Sequence, residues 1–276
     1  MFGSTAEAME GLNRSTWRAF EVLRWYRKFE GHLDQGERLC FEKLQDELRG
    51  QPVLDLGVGG GRTTRLLLGL TGQYVGLDHT AQMVRICRTK FPGVRIEHGD
   101  ARDLSRFAAN TFQVVVFSFN GLDLVHDEGR EQVLREVHRV LRPGGAFYFS
   151  TINRDGPDFR IPRRSDRTIA RTFNPVRLAL RSGWWLLCQV RGRLRLRRYR
   201  RFEEVREGHS ILLHSAHDFG MLVYATSLAE LRRQLRSTGF APEVDITGAK
   251  SGAPVLNGHA AAEPYLHVIV RKPLHA

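Results

Sequence analysis

The sequence predicts an α/β fold built on a doubly wound, mostly parallel sheet. The first observation is the run Val53–Leu67, in which a buried strand, a glycine cluster and the start of a helix follow one another. The second is Tyr74–Asp78, a strand pattern that ends in an acid. The third is the alternation of strand and helix patterns up to residue 151, which is typical of parallel sheets with helices on both faces.

Residues 1–50 are predicted to form a helical N-terminal extension, because apolar residues recur there at helical spacing. Gly31 and Gly36 divide this extension into two helices. The core follows at residues 51–152, with strands predicted at 53–57, 73–78, 94–97, 113–118 and 145–151 and helices at 61–70, 80–90 and 128–141. Residues 227–276 add a helix at 227–238 and strands at 240–246 and 265–270, so that the sheet would hold seven strands.

Residues 153–226 are predicted to form an insert after the fifth strand of the core. Asn174 and Pro175 are typical of a helix cap followed by the first helical turn. The helix that follows is predicted to be amphipathic, with Val176, Leu180, Trp184, Leu187 and Val190 along one face. Residues 207–214 and 218–224 are rich in β-forming residues and are expected to form a hairpin near the mouth of the site.

The net charge of +12 is concentrated in this insert, since residues 154–206 hold sixteen arginines, no lysine and five acids. Three interpretations remain open for its basic helix. In the first, its arginines form a solvated face over a lid that the tryptophans pack. In the second, it binds an anionic membrane or a phosphorylated acceptor. In the third, it binds the phosphates of a nucleic acid. Nucleic acid is the least favoured partner, because Tyr199 and Phe202 are too few to supply stacking between the arginines.

The composition bounds the class of protein. A hydrophobic fraction of 42% is enough for a proper core. No basic-then-apolar leader opens the chain and no apolar run approaches the roughly 20 residues that span a bilayer. A cytoplasmic protein is therefore expected, peripheral at the membrane if the insert binds lipid. The three cysteines are isolated, which predicts neither disulfides nor a zinc site.

The glycine cluster predicts a ligand site at the end of the first strand. Gly57, Gly59 and Gly61 allow the main chain to approach a ligand closely, and the start of a helix offers free N–H groups. Asp78 follows Gly57 by 21 positions, at the tip of the second strand, where an acid is suited to binding ribose hydroxyls. A nicotinamide site would require G-x-G-x-x-G, but Arg62 stands at the sixth position.

The alternative is a resemblance to class I S-adenosylmethionine (SAM)-dependent methyltransferases. The family pattern of an acid two residues before G-x-G-x-G is met by Asp55 and the three glycines at 57, 59 and 61. Four further segments resemble the family in the same order, namely GLDHTAQMV (76–84), HGDARDL (98–104), FQVVVFSFNGLDLV (112–125) and LREVHRVLRPGGAFYFST (134–151). The resemblance implies a final antiparallel strand, and an insert that serves as the substrate lid.

The resemblance also implies the cofactor, SAM, with S-adenosylhomocysteine (SAH) as its product. It assigns Asp55 to the methionine amino group, Asp78 to the ribose hydroxyls, and Asp100 with the Ala101 N–H to the adenine edge. Gly57 and Gly59 would let the cofactor lie over the turn. The other expected cofactor-binding residues are Val58, His79, Met83, Ser118 and Phe119.

The acceptor side is less defined. His126 and His217 are the candidate general bases, needed only if the acceptor is protonated. The acceptor pocket is expected to include Asn120, His214, His217 and Tyr224. No metal is expected, although Asn120 and Asp123 leave a catechol-type metal site as a remote alternative.

The absence of one motif narrows the range of methyl acceptors. No N/D-P-P-Y/W follows the fourth strand, where SFNG stands instead, and this disfavours the family's exocyclic-amine DNA, RNA and glutamine methyltransferases. We expect methyl transfer to an oxygen, or less readily a nitrogen, of a small molecule such as a sugar, a natural product or a lipid-linked glycan intermediate. The alternatives are an RNA methyltransferase that uses the basic insert and a non-catalytic SAM-fold binding protein. The oligomeric state stays open.

Overall fold

A computed structural model describes residues 3–157, 174–255 and 262–274 of the protein. Its helices are α1 (Thr5–Trp17), α2 (Phe20–Lys28), α3 (Gln35–Lys43), α4 (Gln45–Leu48), α5 (Thr64–Leu68), α6 (Ala81–Lys90), α7 (Asp127–Val140), α8 (Pro175–Tyr199), α9 (Ala216–Phe219) and α10 (Leu228–Ser237). Its strands are β1 (Val53–Leu56), β2 (Tyr74–Asp78), β3 (Ile96–His98), β4 (Phe112–Phe117), β5 (Leu141–Asn153), β6 (Glu204–Val205), β7 (His209–His214), β8 (Met221–Thr226), β9 (Val244–Gly248) and β10 (Tyr265–Arg271).

The predicted seven-stranded core is present, in the order β3-β2-β1-β4-β5-β10-β9. The pairs from β3 to β5 are parallel, and β10 is antiparallel to both β5 and β9. The strand order reverses between the neighbours β1 and β4, so that the chain continues from them in opposite directions and leaves a crevice at their carboxyl ends. Ligands bind at such a switch point in open α/β sheets.

The complete sheet is larger than predicted, because three strands of the insert extend it. β8 pairs in parallel with the end of β5 at Ile152 and Asn153. β7 then pairs antiparallel with β8, and β6 with β7. The predicted hairpin therefore exists as β7 and β8. It was expected near the mouth of the site, but it extends the edge of the sheet beside β5. Residues 158–173 of the predicted insert lie outside the described residues.

Helices cover both faces of the core, as the alternating burial of the strands requires. Val115, Phe117 and Phe147 point to the face covered by α7 and α10. Val114 and Tyr148 point to the opposite face, where α3, α4, α5 and α6 pack. Consecutive strand residues point to opposite faces of a sheet, so these strands are apolar throughout and are buried on both sides.

The described part of the N-terminal extension contains four helices, α1 to α4. The sequence predicted only two, divided at Gly31 and Gly36. Ser4 caps α1 through a bond from the Glu7 N–H, and Asp34 caps α3 through one from the Glu37 N–H. Both are N-cap residues whose side chains satisfy an otherwise unpaired donor. α1 packs against β8 through Met9 and its neighbours, which places it over the insert strands.

The basic helix α8 forms as predicted from its Asn174 cap, but its orientation differs from the expected packing. Cys188 and Gly192 face the protein, whereas Trp184 and most of the leucines and valines are exposed. The expectation of a lid packed by its tryptophans is therefore wrong for Trp184. Among the helices that the structure describes, none has the length and apolarity needed to cross a membrane.

Candidate active site

A cavity of about 650 Å³ opens at the carboxyl ends of β1, β2 and β4. Its floor comes from the loops that follow these strands, and its roof comes from α1 and α2. Of the expected cofactor-binding residues, ten line the cavity, namely Gly57, Val58, Gly59, Asp78, His79, Met83, Asp100, Ala101, Ser118 and Phe119. The sequence therefore predicted most of the floor.

The glycine turn is shaped by two close approaches. Gly57 has a φ of +64°, and a Cβ built there would lie 2.8 Å from the ring of Phe117. Gly60 packs directly against the roof, since its added Cβ would lie 2.2 Å from the carbonyl oxygen of Tyr26 in α2. Only glycine is compatible with both positions. The turn consequently contacts the helices above it without intervening side chains.

Asp78 lies at the end of β2 with its carboxylate beneath the turn. One of its oxygens accepts from the Gly59 N–H and the other from the Thr80 N–H, each at 2.8 Å. Burial raises the pKa of Asp78, and these bonds together with His79 oppose that rise. A carboxylate fixed in this way keeps further lone pairs for hydroxyl groups of a ligand.

Asp55 does not line the cavity, which changes the role expected for it. Its carboxylate accepts from the Tyr74 hydroxyl at 2.9 Å and the Thr63 hydroxyl at 3.2 Å, inside the core. Burial raises the pKa of Asp55 to about 7. Because Thr63 borders the cavity, Asp55 supports the turn from below, and the structure shows no direct path from it to a ligand.

Asp100 is held by Arg102, its neighbour two residues on. The Arg102 guanidinium and backbone N–H both donate to the carboxylate, with an Nη2–Oδ2 distance of 2.6 Å. Burial raises the pKa of Asp100, but the bonds from Arg102 outweigh it and lower the pKa overall. The loop therefore presents an ionised carboxylate beside Ala101 on the cavity wall.

Arg62, which excluded the nicotinamide pattern, is a site residue that sequence reasoning missed. Its buried guanidinium forms a bidentate pair with Glu37 and donates to the Ser118 hydroxyl at 2.9 Å. It also lies 4.8 Å from the ring centroid of Phe119. Its position after the glycines was the available signal, since a long cation in a tight turn needs a buried partner.

The loop after β4 contains two residues with left-handed backbone, Phe119 and Asn120. The Asn120 N–H donates to Ser150 Oγ at 2.8 Å, and Asn120 is outside the cavity lining. Asp123 is fully buried and pairs with Arg130 at 2.7 Å, while Thr151 and the Ile152 N–H also donate to it. Asp123 is thus committed to the core, and the remote metal alternative through Asn120 and Asp123 is not supported.

The roof is the second feature that the sequence did not predict. α1 borders the cavity through Met9, Asn13 and Trp17, and α2 borders it through Tyr26. Asn13 attaches α1 to β8, because its amide donates to the Leu222 carbonyl at 2.9 Å and accepts from the Leu222 N–H at 3.0 Å. No residue that the structure describes between 153 and 226 lines the cavity, whose roof is formed by the N-terminal helices, and the lid role expected of the insert stays a prediction.

The two candidate bases are separated by the structure. His126 lines the cavity at the start of α7, beside Leu124 and Val125. His217 lies behind the roof, with its ring 6.0 Å from that of Trp17, and is absent from the cavity wall. Its carbonyl accepts from Arg195 of α8 at 2.7 Å.

Two other expected acceptor residues also lie elsewhere. Tyr224 is fully buried in the core, where its ring stacks on His209 and its hydroxyl accepts from Gln234 at 2.8 Å. His214 accepts from the Ala216 N–H within the β7–α9 turn. Strand alternation explains the error for Tyr224, because consecutive residues of β8 face opposite sides.

One group of side chains has metal-ligand chemistry. Asp127, His209 and Glu230 bring their ligand atoms within 4.8 Å of one another. Glu230 already has a cation partner, since Arg233 binds its carboxylate through two N–H groups at 2.7 and 2.8 Å. The group lies outside the cavity lining.

Comparisons with known proteins find similarity to methyltransferases. A family model described as "Methyltransferase domain" matches residues 53–145. A probable S-adenosylmethionine-dependent methyltransferase of Mycolicibacterium smegmatis is 32% identical over 130 residues, which are 47% of this chain and 46% of that protein. An arsenite methyltransferase of Aquipseudomonas alcaligenes is 36% identical over 122 residues, covering 39% of this chain and 34% of that protein. The chain thus spans half or less of the length of these relatives.

A solved structure shows the same fold. The S-adenosylmethionine-dependent methyltransferase of Mesorhizobium loti superposes with a TM-score of 0.56 and 21% identity, covering 86% of this chain and 98% of that one. At this identity the likeness establishes the fold.

Proposed function

We propose that the chain contains a class I S-adenosylmethionine-dependent methyltransferase domain and that it transfers a methyl group to an oxygen of a small molecule. Sugars, natural products and lipid-linked glycan intermediates belong to this class of acceptor. The main support is one cavity in which the cofactor-type residues of β1 and β2 meet an acceptor wall containing His126.

The floor of the cavity fits the cofactor. Asp78 is buried and anchored by two N–H groups, which leaves lone pairs for two ribose hydroxyls. Val58 and Met83 are apolar and buried beside it, as the nucleoside rings require. The Gly57 position has no room for a side chain, so the cofactor chain would lie against bare backbone. When bound, SAM supplies an electrophilic methyl group on a positively charged sulfur.

The chain's own residues would align the reaction and keep water out. Methyl transfer is a direct displacement, so nucleophile, methyl carbon and sulfur must lie in line. Met9 and Trp17 from the roof and Leu124 from the floor offer an apolar wall on the acceptor side. A water-poor site of this kind maintains that alignment and limits hydrolysis.

His126 is suited to the proton that a hydroxyl acceptor loses. An imidazole nitrogen of His126, on the cavity wall, would accept this proton as the oxygen attacks the methyl carbon. A neutral imidazole can do so near pH 7. The second candidate, His217, has no comparable access because it lies behind Trp17.

The walls of the cavity also favour a carbon-based hydroxyl compound over arsenite, the acceptor named for one relative. Arsenite is a soft, thiol-seeking species, and soft centres prefer thiolate ligands. Cys40, Cys87 and Cys188 are all buried and none lines the cavity. The roof formed by α1 and α2 further favours a small acceptor that can be enclosed.

The test is methyl transfer from radiolabelled SAM to an acceptor panel that contains matched pairs of hydroxyl, amine and thiol compounds. We expect label in a hydroxyl member, with one SAH formed per methyl transferred. Label in RNA, or in the amine member of each pair, would contradict the oxygen assignment. SAM binding without transfer to any acceptor class would favour the non-catalytic binding protein.

A further inference from the structure

We propose that α8 docks the protein onto the surface of a bilayer rich in anionic lipid. This surface site is separate from the cavity, and its test does not depend on the methyl acceptor. The inference rests on the exposed apolar residues of α8, their alignment along one side, and the charge of the helix.

The exposed large apolar residues of the protein are concentrated on this helix. Of thirteen such residues in the described part of the chain, eight lie on α8, namely Val176, Leu178, Leu180, Trp184, Leu186, Leu187, Val190 and Leu194. Single exposed leucines are common on soluble proteins, but contiguous apolar patches mark interaction surfaces. The concentration on one helix therefore indicates a docking surface.

These residues form a stripe along the outer side of the helix. Val176, Leu180, Leu187, Val190 and Leu194 follow one another in steps of three, four or seven residues, which keeps them on one side of an α-helix. The opposite side, with Cys188 and Gly192, faces the protein. At 1.5 Å per residue the stripe is about 27 Å long.

The charge of α8 selects the occupant of this stripe. The helix holds seven arginines, no lysine and no acid. Arg177 and Arg193 are exposed on the two flanks of the stripe, where long side chains can reach lipid headgroups while the apolar face enters the interface. Trp184 is half exposed beside the stripe and is suited to the same boundary.

Other occupants fit less well. A second copy of α8 would bring two equally basic helices together, which costs free energy through like-charge repulsion. Residues 158–173 of the same chain carry five arginines against two acids, so their charge does not complement α8 either. A nucleic acid would use the arginines but would leave the leucines and valines exposed to water.

The helix is held on the protein by polar contacts from its inner side. Arg191 pairs with Glu21 of α2 and with the buried Asp218 of α9. Arg195 donates to the His217 carbonyl. These bonds fix which side of α8 faces outward, so the stripe is presented as part of the folded protein. They also join the docking helix to α2, which roofs the cavity.

The experiment is co-flotation of the full chain with vesicles of phosphatidylcholine alone or mixed with phosphatidylglycerol, at about 0.1 M NaCl. We expect binding to the mixed vesicles and little to phosphatidylcholine. Leu180→Ser combined with Leu187→Ser should weaken partitioning at least about tenfold. The matched control, Val205→Ser with Leu274→Ser, replaces apolar residues that are 70% and 71% exposed, against 69% and 63% for the α8 pair.

A second pair of variants tests the charge. Arg193→Gln with Arg197→Gln should reduce binding to mixed vesicles at least about tenfold, while Arg85→Gln with Arg236→Gln, exposed arginines elsewhere, should change it little. Circular dichroism melts confirm that each variant folds. Absence of vesicle binding, or equal loss in control and α8 variants, overturns the inference. So does salt-sensitive RNA binding without vesicle binding, or a dimer that only the leucine variant dissociates.

Discussion

Arg62 and Glu37 form a buried bidentate ion pair that ties the N-terminal helices to the floor of the cavity. The two N–O distances are 2.6 and 2.7 Å, and the side chains are 6% and 3% exposed. The same guanidinium also donates to the His32 carbonyl and to Ser118 at the end of β4. Arg62 therefore connects α3, the glycine turn and the central strand.

Removing one partner of this pair should cost much stability. Glu37→Gln leaves the Arg62 charge buried without its counter-ion, and the expected loss in free energy of unfolding is about 3–5 kcal/mol. Glu47→Gln is the matched control, because Glu47 forms a bidentate pair with Arg271 on the surface. Its expected loss is at most about 1 kcal/mol. Urea unfolding measures both, and equal losses would show that burial of the Arg62 pair has no special weight.

Stability should also depend on pH through Asp55. Burial raises the pKa of Asp55 from 3.8 to about 7, so between these values the folded state holds a proton that the unfolded chain has released. The contribution of Asp55 to stability is therefore fully present below about pH 4 and falls as pH rises towards 7, by up to about 4 kcal/mol.

The measurement is the free energy of unfolding of the natural protein minus that of Asp55→Asn, at several pH values from 4 to about 8. Asparagine keeps the shape and still accepts from Thr63 and Tyr74 but does not titrate in this range. A difference that decreases with rising pH is expected. A difference that stays constant, or increases with pH, would contradict a raised pKa.

Asn13 should hold the roof in place. Its side-chain amide bonds to both the N–H and the carbonyl of Leu222 on β8, as a neighbouring strand would. It also donates to the Leu124 carbonyl at 3.3 Å. Asn13→Ala leaves buried groups unpaired and should lower stability by about 2 kcal/mol. The amides of α1 should then exchange with deuterium faster than in Ser15→Ala, which removes a hydroxyl bonded within the same helix. Equal exchange rates would assign the anchoring of α1 to its apolar contacts alone.

Local sequence patterns predicted the seven core strands and the glycine turn, while the family resemblance implied the antiparallel final strand and most of the other residues of the cavity floor. A buried strand needs continuous apolar residues, and a ligand-binding turn needs glycine. Gly57, Asp78 and Ser118 could be placed because each lies at or just beyond the end of a predicted strand.

The roof and the acceptor side could not be predicted, because they depend on contacts between distant segments. Asn13 meets Leu222 across more than two hundred residues, and Glu37 meets Arg62 across a stretch of chain that includes α4 and β1, so no local pattern records either contact. For Tyr224 and Trp184 the strand and the helix were predicted correctly, but the side on which each residue lies was predicted wrongly. Packing decides which side of an element faces the protein.

His126 should matter for the rate of transfer, and His217 should not. His126→Asn is expected to lower kcat about 100-fold while leaving the affinity for SAH unchanged. His217→Asn should retain the rate, since His217 is outside the cavity and asparagine tolerates its left-handed backbone. A larger loss of kcat for His217→Asn than for His126→Asn would reverse the assignment.

The cofactor site is tested most directly by titration calorimetry of SAH into the natural protein, Asp78→Ala and Asp103→Ala. Asp103 is an exposed acid near the same edge of the sheet and serves as the control. We expect the natural protein and Asp103→Ala to bind alike, and Asp78→Ala to bind at least about 100-fold more weakly, having lost its charge-assisted bonds. Undiminished binding by folded Asp78→Ala, or heat with a nicotinamide dinucleotide and none with SAM or SAH, would contradict the site described above.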